Sequence, residues 1–389
     1  MLVDTRPHLA QKIGVYLSDI SGAFDKVETN RLLAKLTATG INSTFLQLLR
    51  DYLFVREAYV LVNGEKSCKF ELANTVFQGT VLGPSLWNIF FKDVTTIPAL
   101  LNARVAQFAD DLTVTKEFPP HTPNAYIMET LRTYQIGAHE WGKMNRVDFD
   151  PGKQAFAVIH HKEGEGPDFR LLGPVFDPKL LMHTAIKKVA NRARPKMIAL
   201  LKTKRFYTTK EMIIQFKTHL LCVLESCSAA IYHASESVLD PLNKVVNHFL
   251  RDINVDPASA FLVFNFAPLG LRRDIGMLGL LHKCTLGLAH PWLLELFPPC
   301  QYHMPANTRY AGGRHDRQIL ERCKGNFLEI TRNSLFGLVR VYNFLPLEAV
   351  RCTTVKQFQR TLTDMAKQRC ADGCEDWQTR FSPRVIRQG

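Results

Sequence analysis

The 389-residue chain lacks any apolar run long enough to cross a bilayer. Its best stretch, residues 277–299, is interrupted by His282, Lys283, His290 and Pro291, whereas a spanning helix needs about 20 mostly apolar residues. The start, MLVDTRPH, has no apolar segment behind a basic one, so no secretory signal is legible. The 9 cysteines form no C-x-x-C pair, and their spacing is irregular. Cys370 and Cys374 are the tightest pair but no histidine follows them. That argues against zinc and for reduced thiols in an intracellular protein. Internal repeats and low-complexity segments are absent too. With 46% hydrophobic and 22% charged residues, wholesale disorder, collagen and a coiled-coil rod are excluded. The length points to two or three domains.

Acid is scarce where base is concentrated. The net charge is +13, which points to a polyanionic partner, nucleic acid or a membrane surface. Residues 1–150 hold 15 Lys+Arg and 16 Asp+Glu, a balance of −1; residues 151–389 hold 34 and 20, a balance of +14. Residues 178–210 carry 10 basic residues and no acid. A solvated helix face ordinarily mixes signs, because like charges at helical spacing repel.

Residues 13–17 (IGVYL) read as a buried strand that ends at Asp19. Helices are expected over residues 28–39, stopped by Gly40, and 43–53, capped by Ser43 or Thr44. Residues 58–62 and 68–72 read as strands joined by a hairpin at Asn63-Gly64. Pro84 can open a helix that continues over 86–94. Strands at 104–108 and 112–115 flank Ala109-Asp110-Asp111, and a helix at 124–144 and a strand at 155–160 follow. Beyond Lys179 the pattern is helical, at 180–203, 208–234, 237–252, 273–289 and 355–368. The order predicts an α+β domain followed by a helical region.

Three acids stand out by position. Asp19 closes an apolar strand, and Asp110 and Asp111 sit at a hairpin tip. Carboxylates converging from rigid strand ends suit hard cations such as Mg²⁺. Two such ions can clamp the attacking and leaving oxygens of a phosphoryl transfer. Asp-Asp is also ordinary turn chemistry, so the neighbours decide.

Those neighbours resemble reverse transcriptases. Residues 18–25 (SDISGAFD) with Val27 resemble the first palm motif in the AFD-x-V form of non-LTR retrotransposons; residues 77–84 (FQGTVLGP) resemble the second; residues 108–111 (FADD) resemble the third. Trp141 and residues 150–153 (DPGK) are similar to the fourth motif, Leu172-Gly173 to the primer-grip hairpin, and residues 183–201 to the first thumb helix. The resemblance also touches residues 336–362. It implies a polymerase palm, an antiparallel sheet with packed helices, over 1–178, an all-helical basic thumb over 179–255, and a mostly helical C-terminal region over 256–389.

The resemblance further implies RNA-directed DNA polymerisation onto a primer 3′-OH, with RNA template, DNA primer and deoxynucleoside triphosphates as partners. It makes Asp19, Asp110 and Asp111 ligands of two Mg²⁺ (or Mn²⁺) ions and Lys153 the donor to leaving pyrophosphate. Phe24 becomes the ring that excludes a 2′-hydroxyl, and Gln78 and Gly79 lie against the nucleotide. Lys187, Lys188, Arg192, Arg194 and Lys196 would hold phosphates, and Asp25 is expected to point away. No membrane partner is expected, and within the cell the nucleus is favoured over the cytoplasm. Only 18 residues precede Asp19, so most of the fingers region is expected to be missing and primer extension to be weak or absent. The alternatives are a catalytically inactive nucleic-acid-binding remnant, an RNA-copying RNA polymerase and a maturase-like relative.

Overall fold

The computed structural model describes residues 11–54, 56–72, 76–300, 315–322 and 329–385. They divide into two compact units, one comprising Lys12–Phe169 and one beginning at Arg170.

The first unit is built on a four-stranded antiparallel sheet. Its strands are β1 (Lys12–Asp19), β6 (Arg104–Phe108), β7 (Asp111–Phe118) and β8 (Ala155–Ile159), in the order β6-β7-β1-β8. β1 is central and almost wholly buried. That is why its sequence reads as an unbroken apolar run rather than an alternation. It pairs with β7 from Lys12↔Phe118 to Asp19↔Asp111, and with β8 from Ile13↔Ile159 to Leu17↔Ala155.

Four helices cover this sheet: α1 (Thr29–Ala38), α2 (Ser43–Leu53), α3 (Gly83–Phe91) and α4 (Asn124–Asn145). Leu32, Leu33 and Leu36 of α1, Trp87 and Phe90 of α3, and Ile127, Leu131, Tyr134 and Trp141 of α4 share one apolar core with Tyr16 and Leu112. The Glu28 carboxylate accepts from the backbone N–H groups of Asn30 and Arg31 at the start of α1. α2 is capped by Asn42, whose side chain accepts from Thr44 N at 2.8 Å, rather than by Ser43 or Thr44. An asparagine one residue earlier leaves both hydroxyl residues inside the first turn.

The strand expected at 58–62 is interrupted. β2 (Arg56–Ala58) pairs with β5 (Phe70–Leu72), and β3 (Leu61–Val62) pairs with β4 (Glu65–Lys66) around Asn63-Gly64. Ser67 divides the ladder, because its hydroxyl accepts from Val60 N at 2.8 Å where a backbone carbonyl would otherwise serve.

The second unit is helical. α5 (His183–Lys202) is continuous through Pro195, and its buried residues Ala185, Ile186, Ala190, Ala193 and Met197 keep a helical period. Asp177 holds its entry, accepting from the N–H groups of Lys179, Leu181 and Met182. The single helix expected at 208–234 is broken. α6 (Thr209–Phe216) runs into a π-turn at Lys217–Leu221, and short helices follow at Cys222–Leu224 and Ser228–Ile231. Between those helices the Ser226 hydroxyl donates to Val223 O at 2.8 Å, a local bond that competes with helix continuation. Longer helices run over Glu236–Asp252, Leu269–Thr285 and Val355–Ala371. Two apolar clusters fill the unit, one drawn from 182–269 and one from 232–381. Among the described residues no helix is long and apolar enough to cross a membrane, and the 8 described cysteines are free.

Candidate active site

The ends of β1 and β7 meet, with Asp19 and Asp111 as the last pair of their ladder. Asp111 also pairs with Phe108 across the β6–β7 hairpin, which leaves Ala109 and Asp110 as the two turn residues. Such a turn needs a left-handed residue, and Ala109 takes that conformation at φ 52°. An L-residue held there is disfavoured by roughly 1–2 kcal/mol. The cost is offset by a bond from outside the hairpin, since the Trp87 indole N–H donates to Ala109 O at 2.8 Å. Nothing in the sequence near Trp87 marks it for this role, because the bond forms only when α3 packs beside the hairpin.

Charge is crowded at this corner. The Asp110 carboxyl is raised above the usual carboxylate range by burial, and further by the neighbouring Asp19 and by Asp111. Asp111 is raised by burial and by Asp19, with Lys153 opposing. Lys153 sits in the turn Pro151–Lys153, where Asp150 Oδ1 accepts from Gly152 N at 2.9 Å and Asp150 N donates to Asp19 O at 2.9 Å. From there its ammonium ion-pairs with Asp19 Oδ2 and lies 4.0 Å from Asp150 Oδ2. The bond to Asp19 raises the Lys153 pKa, so the group keeps its proton across the neutral range.

The other residues singled out in the sequence lie around this group. Phe24 is half-buried; its ring stands 5.7 Å from that of Trp87 and its carbonyl accepts from Val76 N at 2.9 Å. Trp87 thus links Phe24 to the Ala109-Asp110 turn. Gln78 and Gly79 are exposed in the turn before α3. Gly79 adopts φ +84°, with no atom within 4 Å of where a Cβ would lie. Among the described residues neither hydrogen-bonds an aspartate. Asp25 is exposed, and Trp141 is buried, donating to Asp93 Oδ1 at 2.9 Å. In the second unit Lys187, Lys188, Arg192, Arg194 and Lys196 are all exposed on α5.

As placed, no group of three or more His, Cys, Asp or Glu side chains among the described residues is arranged to hold a metal ion. The donor chemistry nevertheless fits a hard cation. Three carboxylates crowd one another, two of them raised in part by the third, and the Lys153 ammonium supplies the positive charge that Asp19 faces.

Residues 4–163 match the family described as reverse transcriptase (RNA-dependent DNA polymerase). The chain is 28% identical over 204 residues to the RNA-directed DNA polymerase of the mobile element jockey of Drosophila melanogaster, covering 48% of this chain and 22% of that protein. It is 27% identical over 191 residues to a probable RNA-directed DNA polymerase of the transposon X-element of the same fly, covering 46% of this chain and 21% of that one. The match therefore spans about a fifth of these relatives' length. A telomerase from Candida albicans, solved with a fragment of telomeric RNA, aligns at 10% identity over 66% of this chain and 50% of its own, with a TM-score of 0.35.

Proposed function

Because residues 4–163 match the reverse transcriptase family and are similar to the polymerases of two mobile elements, we propose that the Asp19, Asp110 and Asp111 corner is the centre of an RNA-directed DNA polymerase. The observation that carries the reading is the pairing of Asp19 with Asp111 at adjacent strand ends, with Asp110 at the adjoining turn and Lys153 ion-paired to Asp19. Two Mg²⁺ ions bound there would stabilise both the attacking primer oxygen and the departing pyrophosphate. The chain's own residues supply the rest. The sheet holds the carboxylates in register, and Trp87 fixes the turn that presents Asp110. Lys153 keeps a proton beside the site, which it can give to the leaving group. Phe24, braced by Trp87, is the steric gate against a ribonucleotide 2′-hydroxyl. Gly79 leaves its backbone open to a nucleotide, and Gln78 flanks it.

RNA template, DNA primer and deoxynucleoside triphosphates are the partners this reading requires, and the nucleus is the compartment that suits it. The thumb (179–255) and the C-terminal region (256–389) remain the proposed division of the second unit, whose two apolar clusters interleave between residues 232 and 269. The exposed cations of α5 would contact phosphates without reading sequence.

Primer extension tests the proposal. The 389-residue chain with Mg²⁺, an RNA template, a DNA primer and deoxynucleotides should extend the primer at a low but measurable rate. Asp110→Ala should lower the rate by at least two to three powers of ten while template-primer binding persists. Preference for ribonucleotides would refute the reverse transcriptase reading in favour of an RNA polymerase. Tight binding without extension by the unaltered chain would refute it in favour of a remnant.

A further inference from the structure

The basic segment does not end as a plain charged helix. Between α5 and α6 the chain makes a short turn, Lys204–Phe206, and there it exposes two adjacent aromatic rings, Phe206 at 68% and Tyr207 at 42%. Their surroundings are cationic. Residues 196–210 include Lys196, Lys202, Lys204, Arg205 and Lys210 with no acid among them, and all five are exposed. The Arg205 guanidinium lies over the Phe206 ring, 4.6 Å from its centroid. The nearest following acid, Glu211, is engaged: its carboxylate accepts from the N–H and the hydroxyl of Thr208, both at 2.8 Å.

The rings are held on a stiff base. Thr203 N donates to Leu200 O at 3.0 Å, Phe206 N to Thr203 O at 2.9 Å and Tyr207 N to Lys204 O at 3.4 Å. Thr208 and Glu211 then form a reciprocal cap that starts α6 immediately after Tyr207. Two rings presented to solvent from a backbone fixed on both sides lose little further freedom when a planar partner arrives. Aromatic faces interleaved with cations, without acids, match an unstacked base on a phosphate backbone. A duplex offers its phosphates but keeps its base faces covered, so it would use the cations and leave the rings idle.

We infer that Phe206 and Tyr207 form a stacking platform for single-stranded nucleic acid at the α5–α6 turn. The inference rests on the polymerase reading only in taking nucleic acid as the partner. It assigns to this turn the unpaired strand, template RNA or single-stranded DNA, and leaves the duplex to the phosphate contacts of α5. A basic aromatic surface can also meet an anionic membrane, so that partner belongs in the test.

The test is binding of the full chain, by anisotropy, to single-stranded RNA, to single-stranded DNA of the same sequence and to an RNA·DNA duplex, with phosphatidylserine vesicles as a fourth arm. Phe206→Ala and Tyr207→Ala should each weaken binding to one or both single strands by about tenfold or more. Duplex affinity should change little, and so should the salt slope, since neither ring carries charge. Phe206→Trp should keep single-strand affinity, and its indole emission should be quenched on binding. The rings are exposed, so the far-ultraviolet circular dichroism of the alanine variants should be unaltered. Equal losses on duplex and single strand would overturn the platform. So would no loss on either, or a loss confined to vesicles. If the chain binds nucleic acid but ignores both substitutions, only the platform falls; if it binds no nucleic acid at all, the polymerase reading falls with it.

Discussion

Replacing Asp110 by asparagine should disable the site and stabilise the fold. Asp110 is pushed toward its neutral form by burial, by Asp19 and by Asp111. Two carboxylates about 4 Å apart repel by roughly 4 kcal/mol at an effective dielectric of about 20, and by about 1 kcal/mol in water. The corner is only partly buried, so screening brings the repulsion toward the lower figure. Asparagine removes the charge, keeps an oxygen for the turn's own backbone N–H, and gains an NH₂ that can donate to Asp19. A net gain of about 1 kcal/mol follows, which raises the melting temperature of a domain this size by roughly 2–4 °C.

The pH dependence has a definite sign. The folded-state pKa of Asp110 lies above its unfolded value, so ionising it costs more in the folded chain than in the unfolded one. Its contribution is neutral while both states are protonated, and it turns unfavourable as pH rises from the ordinary carboxylate range through the raised value. The advantage of Asp110→Asn should therefore be full at neutral pH and shrink toward pH of about 4. Thermal unfolding of both proteins at the two pH values, with and without Mg²⁺, reads this directly. Mg²⁺ should stabilise the unaltered chain by mass action and the variant much less. A variant less stable at neutral pH, or a gain that is the same at both pH values, would refute the argument.

Further outcomes follow from other parts of the molecule. Gly166 and Gly79 both have positive φ, but a Cβ at Gly166 would sit 2.6 Å from Phe156 O whereas one at Gly79 meets nothing within 4 Å; Gly166→Ala should cost more than about 3 kcal/mol by urea titration and Gly79→Ala nearer to about 1 kcal/mol. Asp274 is raised to about 6 by burial, even though Tyr232 donates to it at 2.6 Å and Arg384 lies 3.7 Å away. A buried acid shifted upward is more stable protonated, so the second unit should lose stability as pH rises from about 4 to about 6, by no more than roughly 3 kcal/mol; Asp274→Asn should flatten that dependence, and a profile unchanged by the substitution would contradict it. Reversing the charge of Lys187, Lys188 and Arg192 should lower the salt slope of duplex binding by about 0.9 for each phosphate no longer neutralised, and an unaltered slope would remove α5 from the interface.

Most of the first unit, and the residues that meet at its carboxylate corner, were legible in the order of residues alone. A strand that is apolar until Asp19, and an Asp-Asp placed where two short strands must turn, are local facts that need no partner to be read. The same holds for Asn63-Gly64, whose left-handed backbone follows from residue type. Folding in three dimensions settled what depends on residues far apart in the chain. Asp19 faces Asp111 only because β1 and β7 pair in one register, and a slip of one residue would turn every side chain to the opposite face. Trp87 reaches Ala109 O, and Lys153 reaches Asp19, only after α3 and the turn at Pro151–Lys153 have docked. The break in the helix expected at 208–234 was hidden for a related reason. Helical periodicity reports which face is buried and says nothing of bonds made outside the helix: Lys217, in the π-turn, donates to Phe264 O at 2.6 Å, and Glu225 is held by the bidentate Arg272 at 2.6 and 2.9 Å. A period is a property of neighbours in sequence, and those bonds belong to neighbours in space.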